Sequence, residues 1–270
     1  MTGDLQDRLA EAYERGLAAE KAGDRATAAE AYAACLALDP DDCGGVAVRL
    51  AALGLGPAPE RAPPAYVATL FDQHAESFEM TLVHSLGYAI PEAIAARLAA
   101  LGLGPFQRGL DLGCGTGLVA EAMEGQVGAW DGVDLAEEML AIADEKELYA
   151  GLYAGDAVAF LEQAAPARYD LVVAADVLPY LGALEGFVAS AARALTPGGV
   201  IALSTETDGA EPGGPGWGVG AHQRFGHDPA YLTALMTRAG IAVSVVAPET
   251  IRYETGRPVP GHLVIGAKAF

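Results

Sequence analysis

The residues best suited to bind a ligand form a glycine-rich turn after a short apolar run. Gly113, Gly115 and Gly117 occupy alternate positions, and Asp111 precedes them. Because glycine has no Cβ atom, a ligand can approach the backbone of such a turn closely. The N–H groups at the start of a following helix would then point at the ligand. The sequence therefore predicts a ligand site at residues 109–118.

Two classes of ligand fit this turn. Its spacing matches the Gly-x-Gly-x-x-Ala form of the dinucleotide fingerprint, which is a weak signal when it stands alone. That match would make the protein an NAD-type oxidoreductase. The Asp111 carboxylate, however, would repel a pyrophosphate and attract a cation. S-adenosylmethionine carries an ammonium and a sulfonium group, so the electrostatics favour this ligand over a dinucleotide.

Several side chains are candidates for a general base, which a hydroxyl or a carbon acid needs when it receives a methyl group. Two of them, His222 and His227, lie in or next to a glycine-rich loop at residues 206–227, and loops of this length are often functional. In an open α/β sheet we expect such a loop over the carboxyl ends of the strands, where ligands bind. The alternative is that no residue acts as a base and that positioning suffices. The candidates, in order, are His74, His222 and His227, followed by Asp176 and Tyr180.

The composition excludes several classes of protein. A formal net charge of −20 without a Lys/Arg cluster argues against nucleic-acid binding, which draws on a basic surface. No apolar run of about 18 residues predicts a membrane span, and the first five residues lack the features of a secretory signal. Cys35, Cys43 and Cys114 are too few for a disulfide framework, which favours a reducing cytoplasm. No Cys/His cluster has the spacing of a metal site.

From residue 108 onward, predicted strands and helices alternate, which is typical of an α/β fold with a parallel sheet. Residues 200–203 are wholly apolar, as expected of a central strand covered on both faces. The last two strands have no helix between them and should pair antiparallel. We therefore predict five parallel strands and a C-terminal hairpin. The predicted strands are residues 108–112, 130–135, 152–155, 169–175, 200–205, 241–246 and 262–267.

Residues 4–38 show the apolar periodicity of two helices, with Gly23 and Asp24 in the turn between them. The pattern resembles one tetratricopeptide repeat, whose period is about 34 residues. Stable arrays need about three or more repeats, so we expect this segment to dock on the rest of the chain or on a partner. It is either a protein-interaction module or a cap or homodimer contact.

A proline-rich stretch at residues 57–64 is the best predicted linker. It separates a helical segment at residues 1–56 from a domain at residues 65–270. The start of that domain, residues 65–103, is again helical. It carries aromatic residues that we expect to close a lid over the ligand site, namely Tyr66, Phe71, Phe78 and Tyr88.

The glycine turn and the motifs after it resemble the class I S-adenosylmethionine-dependent methyltransferases. Residues 111–117 look like the first motif of that family and residues 132–140 like the second. The resemblance implies S-adenosylmethionine as the cofactor, a Rossmann-like seven-stranded sheet, ribose binding by Asp134 and adenine contact by Asp156. The cofactor-binding residues that it implies are Asp111, Gly113, Gly115, Gly117, Asp134, Leu135, Met139, Asp156, Ala157, Ala174 and Asp176, with Phe78 and Tyr88 from the lid.

Nearly the whole chain resembles a bacterial group of predicted methyltransferases that carry an N-terminal tetratricopeptide repeat. Residues 175–182 and 257–262 contribute to this resemblance. The group implies no particular substrate, and we predict transfer of a methyl group from S-adenosylmethionine to an O, N or C atom of a small molecule. The alternatives are an NAD-type oxidoreductase and a non-catalytic adaptor that uses the helical segment for protein interaction.

Overall fold

A mixed β-sheet carries the glycine turn and is covered by helices on both faces. The computed structural model describes residues 3–210 and 214–270. In that part of the chain the sheet has nine strands. Their bounds are β1 Gly109–Leu112, β2 Trp130–Asp134, β3 Tyr149–Ala154, β4 Tyr169–Ala174, β5 Leu195–Glu206, β6 Trp217–Val219, β7 Phe225–His227, β8 Ile241–Glu254 and β9 Arg257–Lys268.

The first five strands run parallel in the order β3-β2-β1-β4-β5. Strand β9 lies antiparallel to β5, and β8 lies antiparallel to β9. The predicted five parallel strands and the predicted C-terminal hairpin are therefore confirmed. Because β1 and β4 are neighbours in the middle of the sheet, the loops that follow them meet at its carboxyl edge, where ligands bind in folds of this kind.

The predicted number of seven strands is wrong, because residues 206–227 contain two further strands where we expected a loop. Strands β6 and β7 pair antiparallel, and β7 joins the end of β5 through Glu206 and Gly226. Strands of three residues are too short to show an alternating pattern in the sequence. Gly226 permits a close backbone approach, since a Cβ atom there would lie 1.9 Å from the carbonyl oxygen of Asp208. Residues 211–213 of the predicted loop lie outside the described residues.

Helices pack on both faces of the sheet and form the N-terminal segment. Helices α8, α9 and α10 share one apolar layer with the sheet, and α5 and α6 share the other. Within the described residues, no helix is both long and apolar enough to cross a lipid bilayer. The α-helices are α1 Gly3–Ala22, α2 Arg25–Leu38, α3 Val46–Ala52, α4 Pro64–Asp72, α5 Ile90–Ala100, α6 Leu118–Ala122, α7 Glu137–Glu145, α8 Ala157–Gln163, α9 Glu185–Ala194 and α10 Pro229–Arg238, with a π-helix at Met80–Ser85 and 3₁₀ turns at Ala75–Ser77 and Leu178–Tyr180.

The N-terminal helices have a small core of their own and dock on the added hairpin. Helices α1 and α2 pack around Tyr32, which is fully buried. Gly16 makes room for that ring, since a Cβ atom at Gly16 would lie 2.3 Å from it. In α3, Val48 is buried in a cluster that also contains Phe225 of β7. The segment therefore docks on the rest of the chain, one of the two arrangements that we expected for a single repeat.

Backbone contacts tie the predicted linker at residues 57–64 to the rest of the chain. The N–H group of Ala62 donates a hydrogen bond of 2.9 Å to the carbonyl oxygen of Tyr180. Arg61 forms an isolated antiparallel β-bridge with Leu181. This segment therefore reaches the carboxyl edge of the sheet, while the domain boundary itself stays a prediction.

Candidate active site

A cavity of about 260 Å³ lies at the carboxyl ends of the parallel strands, between the sheet and the helices that precede β1. Three residues of the predicted site, Asp111, Gly117 and Ala174, do not line this cavity. The described residues contain no cluster of His, Cys, Asp or Glu that could hold a metal ion. The predicted cofactor residues that do line the cavity are Gly113, Gly115, Asp134, Leu135, Met139, Asp156, Ala157, Asp176, Phe78 and Tyr88.

The glycine turn has a backbone conformation that only glycine adopts readily. Gly113, Gly115 and Gly117 have φ angles of 62°, 52° and 94°, in the left-handed region. Gly117 is the residue that precedes α6. Gly113 packs against the segment after β4, because a Cβ atom there would lie 2.4 Å from Cγ2 of Val177. The turn therefore brings the ends of β1 and β4 together at the cavity.

Replacing Gly113 with alanine is expected to destabilise the protein by more than backbone strain alone. Gly102→Ala is the matched control, since Gly102 has a φ angle of 67° but no atom within 4 Å of an added Cβ. Both variants carry about 1 kcal/mol of strain from the left-handed backbone. The contact with Val177 should cost Gly113→Ala about 2 kcal/mol more. Urea unfolding measures both losses, and equal losses would show that the contact with Val177 carries no energy.

Asp134, at the end of β2, holds the glycine turn in place. Its Oδ2 accepts a hydrogen bond of 2.8 Å from the N–H of Gly115, and its Oδ1 accepts one of 2.9 Å from the N–H of Ala136. Burial raises the pKa of this carboxyl, and the backbone hydrogen bonds oppose the rise. Each carboxylate oxygen can accept a second hydrogen bond. Asp134 can therefore bind the hydroxyl groups of a ligand in the cavity while it fixes the turn.

Asp111 lies beneath the glycine turn and is fully buried. The hydroxyl of Tyr149 donates to its Oδ2 at 2.7 Å, and its Oδ1 has no hydrogen-bond partner among the described residues. Burial raises the pKa of Asp111 to about 7, against the effect of the Tyr149 hydrogen bond. Near neutral pH this carboxyl is only partly ionised, so it attracts a cationic ligand less strongly than the sequence suggested.

An ion pair that the sequence did not indicate lies at the Asp156 side of the cavity. Oδ1 of Asp156 accepts hydrogen bonds from the N–H of Ala159 at 2.9 Å and from the guanidinium of Arg61 at 3.0 Å. Both charged side chains line the cavity and are partly exposed. Exposed ion pairs of this kind contribute little to stability. Arg61 lies in the predicted linker, where no local spacing relates it to a site 95 residues away.

Aromatic side chains wall the cavity on the side of the helices that precede β1. The ring of Phe71 meets Phe78 and Tyr180 edge to face, with centroid distances of 5.9 Å and 5.4 Å. Tyr88 is buried and lines the same cavity. Tyr66, the fourth residue of the predicted lid, packs in the neighbouring apolar cluster and does not line the cavity. Such a wall excludes water and strengthens polar contacts inside.

Next to this aromatic wall, the predicted residue Asp176 meets arginines and glutamates that sequence reasoning missed. The buried guanidinium of Arg252 binds Asp176 at 2.8 Å, Glu254 at 2.9 Å and also Glu206. Arg224 binds Glu206 at 2.9 Å and also Glu254. These residues come from separate strands and loops, so no motif connects them. We call Asp176, Arg224, Arg252 and Glu254 the charged end of the cavity.

Asp176 has an unusual backbone for a residue other than glycine. Its φ angle is 61°, and a left-handed residue of this type costs about 1–3 kcal/mol. Its N–H donates to the hydroxyl of Ser204 at 2.8 Å. Its Oδ2 is held by Arg252, whereas its buried Oδ1 has no hydrogen-bond partner among the described residues. Strain that is maintained at a cavity is typical of a functional residue.

None of the three predicted catalytic histidines lines the cavity. His74 is exposed, and its Nδ1 lies 2.7 Å from the carbonyl oxygen of Leu70, one turn earlier in the chain. The His222 side chain is 61% exposed, and its Nδ1 lies 3.5 Å from Oε2 of Glu254. Neither residue lines the cavity. Their role as bases stays a prediction, and of the candidate bases only Asp176 and Tyr180 line the cavity.

His227, the third candidate, is fully buried and does not line the cavity. Its Nε2 lies 3.1 Å from the carbonyl oxygen of Gly182, and its Nδ1 lies 2.8 Å from the hydroxyl of Thr205. Because a carbonyl only accepts, Nε2 carries the proton and Nδ1 accepts from Thr205. Burial lowers the pKa of His227 to about 4. In this arrangement the neutral imidazole of His227, in β7, contacts Gly182 and Thr205, so both of its nitrogens have hydrogen-bond partners inside the protein.

Lowering the pH from 7 to 5 should reduce the contribution of His227 to the stability of the protein. An unfolded histidine binds a proton near pH 6.5, whereas the native imidazole does so only near pH 4. Between these values the unfolded chain holds the extra proton, so this residue should cost about 2 kcal/mol of stability by pH 5. His227→Gln lacks this loss. Urea unfolding at pH 7 and pH 5 gives the free energy of unfolding of the wild type and of His227→Gln. If the difference between the two proteins were the same at both pH values, His227 would not be a buried neutral histidine.

The sequence matches known methyltransferases over its central part. Residues 110–203 match the family described as "Methyltransferase domain". The ubiquinone biosynthesis O-methyltransferase of Burkholderia vietnamiensis (strain G4 / LMG 22486) is 33% identical over 102 residues, which cover 37% of this chain and 44% of that protein. The corresponding protein of Burkholderia ambifaria (strain MC40-6) is 34% identical over 102 residues with the same coverage. The chain thus spans less than half the length of these relatives.

Solved methyltransferase structures share the fold. Magnesium protoporphyrin IX methyltransferase (ChlM) from Synechocystis PCC 6803, with bound S-adenosylhomocysteine, superposes with a TM-score of 0.57 at 17% identity, over 76% of this chain and 99% of that one. Phospholethanolamine N-methyltransferase 2 of Haemonchus contortus superposes with a TM-score of 0.56 at 17% identity, over 74% of this chain and 58% of that one. At these identities the likeness shows the fold alone.

The chain therefore has a Rossmann-like α/β fold with a sheet dominated by parallel strands, and its residues 110–203 match a methyltransferase domain. This confirms the class of domain that the glycine turn and the later motifs predicted. The match of residues 110–203 to a methyltransferase family favours S-adenosylmethionine over a nicotinamide dinucleotide as the ligand of the turn.

Proposed function

We propose that this protein is an S-adenosylmethionine-dependent methyltransferase that acts on a small molecule. The observation that carries the proposal is that one cavity is lined by the glycine turn, by Asp134 and by Asp156. These residues come from the ends of three different strands, and each is where the resemblance implies a contact with the cofactor. The turn itself also suits such a ligand, because Gly113 and Gly115 have no Cβ atom where they line the cavity.

Asp134 would bind the two ribose hydroxyls, since its oxygens keep lone pairs after they accept from the turn. Asp156 would accept a hydrogen bond from the adenine amino group and would share its carboxylate with Arg61. Leu135, Met139 and Ala157 supply the apolar walls between these acids. S-adenosylmethionine would supply the methyl group when bound.

The acceptor would enter from the charged end of the cavity. Of the residues that the resemblance assigns to the cofactor, Asp176 alone belongs to that end. The cavity volume of about 260 Å³ and its aromatic wall suit a small molecule rather than a protein segment. The main contribution of the protein would be to hold acceptor and methyl group in line, because orientation supplies much of the rate gain in such transfers. The atom that receives the methyl group would be O, N or C.

The N-terminal helices α1–α3 would act as a tetratricopeptide-like unit. Their docking on β6 and β7 leaves the outer faces of α1 and α2 available to a protein partner or a second copy of the chain. All three cysteines are free, in keeping with a reducing compartment, so we place the protein in the cytoplasm.

Thermal unfolding with different ligands tests the proposed function. S-adenosylhomocysteine at about 100 times its dissociation constant should stabilise the protein by about 2.7 kcal/mol and raise the Tm by about 5 °C or more. NAD at the same concentration should leave the Tm unchanged. A rise with NAD and none with S-adenosylhomocysteine would overturn the proposal and favour an oxidoreductase. No rise with either ligand would favour the non-catalytic adaptor.

A further inference from the structure

The two arginines at the charged end would at first sight attract an acidic acceptor, but carboxylates of the protein already occupy them. All three nitrogens of the Arg252 guanidinium bind carboxylates, namely those of Asp176, Glu206 and Glu254. Arg224 uses two nitrogens on Glu206 and Glu254. An anionic group would have to compete with these pairs. The network therefore does not serve as an open anion site.

The charges around the cavity do not balance. Three guanidiniums, of Arg61, Arg224 and Arg252, face five carboxylates, which leaves two negative charges. The cofactor carries two positive groups and one carboxylate, so it would neutralise one of them. A protonated His222 would not supply the positive charge that the cavity lacks, because its side chain is 61% exposed to water. The carboxylates counted are those of Asp134, Asp156, Asp176, Glu206 and Glu254.

Buried charges are stable only when they are paired, so the remaining negative charge calls for a cation from the acceptor. Asp176 is the best placed group to meet it. It lines the cavity, its side chain is 20% exposed, and its Oδ2, which accepts from Arg252, can accept a second hydrogen bond.

The aromatic wall beside Asp176 suits the same kind of group. Phe71, Phe78, Tyr88 and Tyr180 line the cavity, and aromatic faces attract ammonium groups by cation–π interactions. The net charge of −20 would also raise the local concentration of a cationic molecule near the protein. Charge balance, the partly exposed Asp176 carboxylate and the aromatic wall therefore favour one chemical class of acceptor.

We propose that the acceptor is a cationic amine that binds with its ammonium group against Asp176, so that the protein is an N-methyltransferase. This inference rests on the proposed function and specifies its acceptor. The ammonium gives a proton to the Asp176 carboxylate, and the freed lone pair of the nitrogen forms the bond to the methyl carbon. The electron pair of the broken carbon–sulfur bond stays on sulfur. Asp176 then releases its proton to water, and the methylated ammonium departs.

Three probes of matched size test this inference on the protein saturated with S-adenosylhomocysteine. They are 2-phenylethylamine, 2-phenylethanol and 3-phenylpropionate, which carry an ammonium, a hydroxyl and a carboxylate on similar frames. Calorimetric titration should show that the amine binds at least about tenfold more tightly than the other two. Asp176→Asn should remove this preference, Asp176→Glu should restore part of it, and Asp144→Asn on the exposed face of α7 should leave it unchanged.

Tighter binding of the carboxylate, or equal binding of the amine and the alcohol, would overturn the inference in favour of an acidic or a hydroxyl acceptor. Absence of amine binding at millimolar concentration would also overturn it. Because the wild-type protein gives this comparison by itself, the result stands even if Asp176→Asn does not fold. Saturation with S-adenosylhomocysteine is measured first, so a failed proposed function is recognised separately from a failed assignment of the acceptor.

Discussion

Replacing Asp134 with asparagine should weaken the binding of S-adenosylhomocysteine by about 100-fold. The carboxylate accepts from the N–H groups of Gly115 and Ala136 through both of its oxygens. An asparagine has one oxygen and one NH₂ group, so one of these N–H groups would face another donor. The variant also loses the charge that strengthens hydrogen bonds to ribose hydroxyls. Calorimetric titration of the variant and the wild type gives the ratio of dissociation constants.

Asp144→Asn is the matched control for this experiment. Asp144 lies in α7, the helix that follows Asp134, but it is exposed and does not line the cavity. We expect it to bind S-adenosylhomocysteine like the wild type. If Asp134→Asn bound the ligand within about threefold of this control, the assignment of Asp134 to the ribose would be wrong.

Replacing Arg252 with methionine should lower the free energy of unfolding by about 3–5 kcal/mol. The guanidinium is 4% exposed and compensates three carboxylates, of which Glu206 is also buried. Burial already raises the pKa of Glu206, and the arginines oppose that rise. Without Arg252, the neighbouring acids would be left in a poorly solvated site with Arg224 alone. Methionine keeps most of the side-chain volume, so the expected loss reports charge rather than packing.

Arg257→Met tests whether the loss is specific to the buried network. Arg257 begins β9 in the same hairpin, is exposed, and forms no ion pair within the described residues. Its replacement should change the free energy of unfolding by less than about 0.5 kcal/mol. Equal effects of the two substitutions in urea unfolding would mean that the charged end of the cavity contributes no stability.

The part of the fold that sequence reasoning predicted correctly rests on local signals. Apolar runs such as residues 200–203 indicated buried parallel strands, and the glycine turn marked the end of β1. The seven main strands follow from these runs. Strands β6 and β7 were missed because their pairing depends on glycines that let distant backbone segments approach, as Gly226 and Asp208 do. Such an approach leaves no periodic pattern in the sequence.

The residues of the candidate site also fall into a group that the sequence predicted and a group that it missed. The residues near the cofactor follow strand ends in a fixed order, so Asp134 and Asp156 were identified from their motifs. Three arginines that line the cavity come from parts of the chain that meet only in the folded protein. Arg61 lies in the predicted linker, Arg224 in the β6–β7 hairpin and Arg252 in the β8–β9 hairpin. No spacing in the sequence relates these three residues.

The ranking of the histidines shows a related limit of sequence reasoning. His227 is next to the predicted loop, which suggested a catalytic position, yet its two nitrogens bind Gly182 and Thr205 inside the protein. Residue type and loop position do not reveal whether a ring nitrogen is free. Asp176 was placed after the histidines as a candidate base, but it lines the cavity and they do not.

A crystal structure with bound S-adenosylhomocysteine would test the central claim most directly, namely that this cavity is the cofactor site of a methyltransferase. We expect the ligand in the cavity, with both ribose hydroxyls within hydrogen-bond distance of Asp134 and the adenine amino group next to Asp156. The sulfur should point toward the charged end at Asp176. A ligand bound elsewhere, or one whose ribose does not contact Asp134, would contradict it.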